Sequence, residues 1–298
     1  MRLVDAQVHI WGADTPARPW PPDGAATAHR AVPVTAGETL AVLDAAGVHR
    51  AVLVPPSWEG DRNDLAWAAA AQHPDRLAVM GRIPLTGPAQ AGPLARWRDR
   101  PGSLGVRLTL HRDPWRTLFL AGDLDWFWTA ANAVALPVMV YAPGLSTALG
   151  EVARRFPDLR LIVDHLAAPV DARCPEAFAH LTDLIALARH PRVAVKATAL
   201  PCHSRLPFPF SDLHAPLERV FDAFGPRRVF WGSDWTRLPC SYRENVELFT
   251  EALPFLSAAD LFWVMGEAIL EWLDWPAGPS WPKLRPVVGR PGRPGGPR

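Results

Sequence analysis

Thr147-Ala-Leu-Gly-Glu-Val-Ala-Arg-Arg-Phe-Pro-Asp-Leu-Arg-Leu-Ile-Val-Asp-His165 contains the unit from which most of the chain is built. Its first half, through Phe156, is rich in Ala, Leu and Val at helical spacing. Phe156-Pro157 then stops the helix, because proline disfavours helical backbone at the residue before it. Leu159 to His165 follows as a short apolar run with β-branched residues, ending on two polar groups.

The same order recurs on both sides of this stretch. Strand-like runs at Leu3 to Ile10, Arg50 to Val54, Leu77 to Ile83, Leu104 to Leu110, Leu136 to Tyr141, Val193 to Ala197 and Arg228 to Ser233 bring the total to eight. Gly37 to Ala46 and Asn63 to Gln72 repeat the helical spacing, and His73-Pro74 and His190-Pro191 repeat the stop. Eight strands alternating with helices predict an α/β fold with a parallel sheet closed into a (β/α)8 TIM barrel. An open, doubly wound sheet would usually carry a glycine-rich phosphate turn after its first strand. Trp11-Gly12-Ala13-Asp14-Thr15-Pro16 is not one.

The chain has 298 residues, against roughly 250 for a typical barrel of this kind. The surplus falls in three places. Residues 12–36 form a Pro-rich connection after the first strand, and a loop that long inside a domain is usually functional, often a lid. Residues 198–213 form a second long loop after the seventh strand. From Ala277 the chain turns Pro/Gly/Arg-rich and is expected to be a disordered tail. The reading is therefore one barrel domain over 1–276 and a flexible tail over 277–298.

Composition narrows the function. Lys+Arg (31) and Asp+Glu (30) nearly cancel, and no basic run lies outside the C-terminus, which argues against a nucleic-acid surface. No stretch of about 18 apolar residues suggests a membrane span, and the start lacks an apolar signal core. Cys174, Cys202 and Cys240 are odd in number and widely spaced, without a CxxC pair. That disfavours a disulfide framework or zinc-thiolate site and fits a reducing cytoplasm.

In a barrel, polar residues at strand C-termini converge on one mouth. The first strand ends Asp5-Ala-Gln7-Val-His9, the sixth Asp164-His165, and the eighth Gly232-Ser-Asp234. Strand alternation puts Asp5, Gln7 and His9 on one side. A lone strand-end His is usually structural and an Asp after a strand is often a helix cap. Jointly, at strands one, six and eight, His9, His165 and Asp234 read as catalytic. Arg107 lies inside the fourth strand, where a guanidinium demands an anionic partner or ligand. A salt bridge across the barrel is the structural alternative for it. Arg82, Lys196 and Arg237 add positive charge to the same mouth, Trp58 suits a pocket wall, and the Tyr141 phenol suits donation to a substrate oxygen. Trp67, Trp97, Trp126 and Trp128 fall on helices and read as packing.

Five segments together resemble the amidohydrolase-related group that includes 2-pyrone-4,6-dicarboxylate lactonase and sugar-acid lactonases, with metal-dependent aromatic-acid decarboxylases as more distant relatives. They are Asp5-Ala-Gln-Val-His-Ile-Trp11, Gly105-Val-Arg107, Val163-Asp-His165, Val195-Lys196 and Phe230-Trp-Gly-Ser-Asp-Trp235. Gly266 to Leu270 is similar to that family's closing helix, so the resemblance runs from about Leu3 to Trp275. The family's usual first-strand motif is His-x-His, and Gln7 stands at its first position here. The fifth strand, Pro137 to Tyr141, also lacks a histidine that metal-binding relatives commonly use.

The resemblance implies a metal-independent hydrolase that opens a lactone or activated ester. Asp234 would activate water, His9 and His165 would polarise the carbonyl, and Gln7 would donate through its amide. Arg107 would hold a carboxylate of a small-molecule substrate, with Arg82, Lys196, Tyr141 and Trp58 as further contacts. No cofactor is expected. The alternative is a zinc or manganese ion on His9, His165 and Asp234, serving a decarboxylase, since three ligands plus water can make a catalytic site. A non-catalytic ligand-binding barrel is the reading from another class. Nucleophilic-serine hydrolysis is disfavoured by the lack of a GxSxG motif. A homodimer is compatible with the sequence.

Overall fold

All eight strand-like runs form strands: β1 (Val4–Val8), β2 (Arg50–Leu53), β3 (Leu77–Gly81), β4 (Ser103–Thr109), β5 (Val138–Tyr141), β6 (Leu161–Val163), β7 (Val193–Thr198) and β8 (Val229–Gly232). The computed structural model describes residues 1–276, so the tail expected from Ala277 lies outside the described residues. The strands pair in parallel and in chain order. β8 returns to β1 through the Asp234 N–H, which donates to the Gln7 carbonyl at 2.9 Å. This is the closed arrangement of a (β/α)8 barrel.

The helices end where the prolines said they should. Asp64–Gln72 stops before His73-Pro74 and Ser146–Arg155 before Phe156-Pro157. Among the described residues, no helix is long and apolar enough to cross a membrane.

Alternate residues of all eight strands, including Val52, Met80, Met139, Ile162, Ala194 and Phe230, share one buried cluster with the helix Ala268–Trp272. The chain just beyond that helix crosses the bottom of the barrel. Arg50, at the start of β2, donates to the Pro276 carbonyl at 2.7 Å, and Arg160, before β6, donates to the Trp272 carbonyl at 2.7 Å. The floor is therefore plugged, and the open end is the one where the strand C-termini lie.

β1 departs from simple alternation. Val4 and Asp5 pair with Arg50 and Ala51, but the next partner pair is Val8 with Leu53, so β1 holds one extra residue. A bulge of that kind reverses which side the following residues face. Val4 and Ala6 pack inside with the floor cluster, whereas Val8 and Ile10 join the outer shell under the helices. The expectation that Asp5 shares a side with Gln7 and His9 is thus corrected. Asp5 turns to β8, accepting from the Ser233 N–H at 2.8 Å and from the Tyr242 hydroxyl at 2.5 Å. Gln7 and His9 turn to the mouth. Gly232 permits this seam, since a Cβ there would lie 2.6 Å from Thr198 Cγ2 and 2.9 Å from Asp5 Oδ1.

Candidate active site

β6 and β8 both end in sharp left-handed turns. His165 has φ 53° and Asp234 has φ 49°, a region that non-glycine residues rarely adopt. Such backbone costs on the order of 1–3 kcal/mol and persists where the surroundings over-determine it. Here the turns aim both side chains into the mouth, beside His9 from β1. His9 Nε2 lies 3.1 Å from Asp234 Oδ1, and His165 Nε2 lies 3.9 Å from Asp234 Oδ2. All three are buried. Burial opposes the charge on Asp234, but the neighbouring His9 imidazole outweighs it and holds the carboxyl well below the usual range. Burial pushes His165 the other way, down to about 3, so its ring is neutral.

A buried relay beneath these residues decides how they are presented. Lys196 Nζ is 2.9 Å from Asp164 Oδ1, and Arg107 Nε donates to Asp164 Oδ2 at 3.0 Å. Burial would raise the Asp164 carboxyl, but the two cations outweigh it and hold it below its ordinary value. Lys196 also donates to Gln7 Oε1. An ammonium has no acceptor, so the amide must present its oxygen to Lys196 and its NH2 to the opposite side. Gln7 Nε2 lies 3.1 Å from His165 Nε2 and 3.4 Å from His9 Nε2. His165 therefore accepts at Nε2 and donates from Nδ1, which sits 2.7 Å from the Thr198 hydroxyl. His9 Nδ1 contacts the Val54 carbonyl at 2.5 Å and must be the donor there.

The other sequence candidates fall on the same mouth with differing degrees of freedom. Arg107 and Arg82 converge on the Thr109 hydroxyl, at 2.6 and 3.1 Å. Arg82 has a weaker carboxylate partner, Asp61, at 3.6 Å. Burial and the adjacent Arg107 charge push its pKa down to about 10. Lys196, expected among substrate contacts, is fully buried and engaged by Asp164 and Gln7. The Tyr141 hydroxyl donates to the Ala168 carbonyl at 3.0 Å, and burial lifts its pKa to about 12. Arg237 Nη1 lies 3.6 Å from Asp234 Oδ2 and lines a cavity of about 410 Å³ with His29, Cys202 and Thr236.

Two site residues escaped the sequence reading. Asp164 is the counter-ion that Arg107 and Lys196 each required, and its place beside His165 was the available clue. His29 comes from the 12–36 loop, whose length marked it as functional without singling out any residue. That loop is tied across the mouth. Trp11 N–H bonds the Val34 carbonyl at 3.0 Å, and Arg18 donates to buried Glu59 at 2.7 Å. His29 Nδ1 is 2.6 Å from the Thr236 hydroxyl, and its ring packs on Trp58 with centroids 4.5 Å apart. Trp58 also contacts His9 edge-on at 5.6 Å. Burial keeps His29 neutral, its pKa lowered to about 3.

Comparison with known proteins places this mouth among relatives. The amidohydrolase family model matches residues 4–275. An L-fucono-1,5-lactonase of Burkholderia ambifaria is 31% identical over 246 residues, covering 78% of this chain and 79% of that protein. An amidohydrolase from Burkholderia multivorans, crystallised with bound zinc, superposes with a TM-score of 0.78 at 23% identity, over 93% of this chain and 100% of that one. A probable 2-pyrone-4,6-dicarboxylic acid hydrolase from Acinetobacter baumannii, with citric acid bound, gives a TM-score of 0.68 at 18% identity, over 92% of this chain and 100% of that one. At these identities the two solved structures speak for the fold.

Proposed function

The chain belongs to the amidohydrolase family as a lactonase-like hydrolase, and on that premise we propose that Asp234 activates the water that opens the lactone ring. The observation that carries this is the position of its carboxylate, buried in the mouth and held ionised beside His9, with Arg237 3.6 Å away at the cavity wall. A general base must be ionised and within reach of the attacking water, and Asp234 meets the first requirement.

In this reaction Asp234 takes a proton from water as the oxygen attacks the carbonyl carbon. The carbonyl oxygen becomes an oxyanion, which needs donors or positive charge aimed at it. Arg237 and the Gln7 N–H left with only a 3.4 Å contact to His9 are the groups available. Collapse breaks the ring C–O bond, and the proton on Asp234 passes to the departing alkoxide or enolate. The product is a hydroxy acid. His165, neutral and accepting from Gln7, positions the amide rather than donating to substrate. Arg107 and Arg82 supply positive charge for a substrate carboxylate, and three free cysteines suit a reducing cytoplasm.

A metal shared by the β1 and β6 ends does not fit these residues. The Gln7 NH2 is directed at both Nε2 nitrogens, and Lys196 prevents the amide from turning its oxygen to an ion. No step is therefore routed through a metal.

The test is a panel of sugar 1,4- and 1,5-lactones and carboxylated pyrones, followed by proton release and by NMR of the product. Ring opening that survives chelation and is lost in Asp234→Asn is the expected result. Turnover limited to loss of CO2 from aromatic acids, dependent on added metal, would overturn it.

A further inference from the structure

Arg82 is a buried cation with too few partners. It follows β3 directly and is only 8% exposed. Asn63 clamps its main chain, accepting from the Arg82 N–H at 2.6 Å and donating to the Arg82 carbonyl at 2.8 Å. The guanidinium itself makes one hydrogen bond among the described residues, from Nη1 to the Thr109 hydroxyl at 3.1 Å. Nε is buried without a hydrogen-bond partner, because Asp61, its carboxylate neighbour, stops at 3.6 Å and is partly exposed. Arg107 and Lys196 are buried at the same end of the barrel. Asp164 is the one buried carboxylate that pairs with any of the three among the described residues. An incompletely paired buried cation is costly, and an anionic ligand relieves that cost.

Arg82 lines a cavity of about 500 Å³, within the range of small-molecule pockets. The cavity lies between the segments that follow β2 and β3, and it shares no lining residue with the one that holds His29 and Arg237. Arg62 is a second cation on its wall, half-buried and without an ion pair among the described residues. Arg18 lines it too, but Glu59 and Asp64 both bond its guanidinium, so it has no free charge to offer. Trp67 and Trp97 bond their indole N–H groups to the Ser103 hydroxyl and the Gly105 carbonyl, both at 2.8 Å. Neither acceptor lines the cavity, so the two rings present carbon surface to it, alongside Ile83 and Pro84.

We propose that this cavity binds a small organic acid, its carboxylate on Arg82 and Arg62 and an apolar or cyclic body against Trp67 and Trp97. A planar carboxylate suits a guanidinium because two parallel N–H groups engage it at once. Thr109 occupies Nη1 and leaves the Nε edge of Arg82 open for this. A carboxylate carried by the lactone and one carried by a separate acid present the same chemistry here. The first deepens the hydrolase reading above and rests on it, and the second stands without it.

Titration calorimetry of the full chain tests the site without turnover, with benzoate as the probe and benzamide as its neutral counterpart. Benzoate should bind at one equivalent, and benzamide should bind weaker by about tenfold or more, the contribution of a charge-assisted hydrogen bond. Arg82→Met should weaken benzoate by the same factor, and Arg62→Ala should weaken it to a lesser extent. Arg237→Ala, on the wall of the other cavity, should leave it near wild type. Because Arg82→Met removes an incompletely paired buried charge, its Tm should stay close to wild type or rise, and Arg82→Lys guards against a local misfold by retaining the charge. Benzoate should raise the Tm of wild type and not that of Arg82→Met. The absence of benzoate binding, or binding that survives Arg82→Met and is lost in Arg237→Ala, overturns the site. In turnover, benzoate that raises KM for carboxylate-bearing lactones alone assigns the site to the substrate's own carboxylate. Benzoate that binds and leaves KM unchanged for every lactone assigns it to a separate acid. The titrations read the cavity and the lactone panel reads the hydrolase, so the two can fail separately.

Discussion

Lys196 donates to the amide oxygen of Gln7, and that contact turns the Gln7 nitrogen toward the two mouth histidines. A buried ammonium thus decides the orientation of a neutral side chain 189 positions earlier in the chain. It does so while remaining 2.9 Å from Asp164, whose other oxygen accepts from Arg107.

Removing the ammonium should therefore be felt mainly as lost stability. Lys196→Met leaves Asp164 with Arg107 alone and Gln7 Oε1 without a donor. Breaking a buried ion pair from one side typically costs about 3–5 kcal/mol, which lowers Tm by on the order of 10 °C in a domain of this class. Lys196→Met combined with Asp164→Asn should recover little of that loss, because Arg107 then loses its buried carboxylate partner. Thermal melts of the two variants decide it, and a single variant that melts within about 2 °C of wild type would remove the relay's structural role.

Asp234→Asn retains the shape and polarity of the side chain but not its basic oxygen. On a confirmed lactone, kcat should fall by roughly 10²–10⁴-fold with KM little changed, the usual contribution of a general base. Because the folded state favours the ionised Asp234 carboxyl, Tm should also fall somewhat, and turnover is compared on the folded protein. Near-full kcat in the variant would place the base elsewhere. A large drop in Tm without loss of turnover would make Asp234 a structural residue.

The two guanidiniums on Thr109 bear on substrate charge. Arg82 is the better probe, since its carboxylate partner Asp61 is 3.6 Å away and partly exposed. Arg82→Met should weaken carboxylate-bearing lactones by about tenfold or more, or about 1.4 kcal/mol, and neutral sugar lactones by much less. Equal loss for both substrate types, measured as kcat/KM, would mean that Arg82 only shapes the wall.

Asp5 links the β1–β8 seam to pH. Burial raises its pKa from the ordinary 3.8 to about 6, despite bonds from Gln7 N–H, Ser233 and Tyr242. The folded state thus holds this proton more tightly than the unfolded chain. The resulting stabilisation is complete below about pH 4 and is lost as pH rises through about 6. Asp5→Asn destabilises because its NH2 faces hydroxyl and amide donors, and the penalty should be larger at pH 5 than at pH 7.5. The full linkage is up to about 3 kcal/mol. Denaturant melts at both pH values read the difference, and a penalty that grows with pH would show that the donors outweigh burial.

The barrel and the location of its mouth were legible from local pattern alone. Eight apolar runs, helical spacing between them and proline stops are properties of neighbouring residues, and closing eight parallel strands brings all their C-termini to one end. That is enough to bring His9, His165 and Asp234 together from positions far apart in the chain. Three features depended on the packed structure. The extra residue in β1, which sends Asp5 to β8 and Gln7 to the mouth, is visible only against its partner β2, because a bulge is defined by two strands at once. The pairing of Asp164 with Arg107 and Lys196 reflects the low dielectric of a filled barrel interior, where buried charges must find each other. His29 reaches Asp234 because the long loop is tied across the mouth by contacts with Thr236, Trp58 and Glu59. Periodicity places a residue on a strand or helix, but a loop has no period, so its reach is set by whatever holds it down.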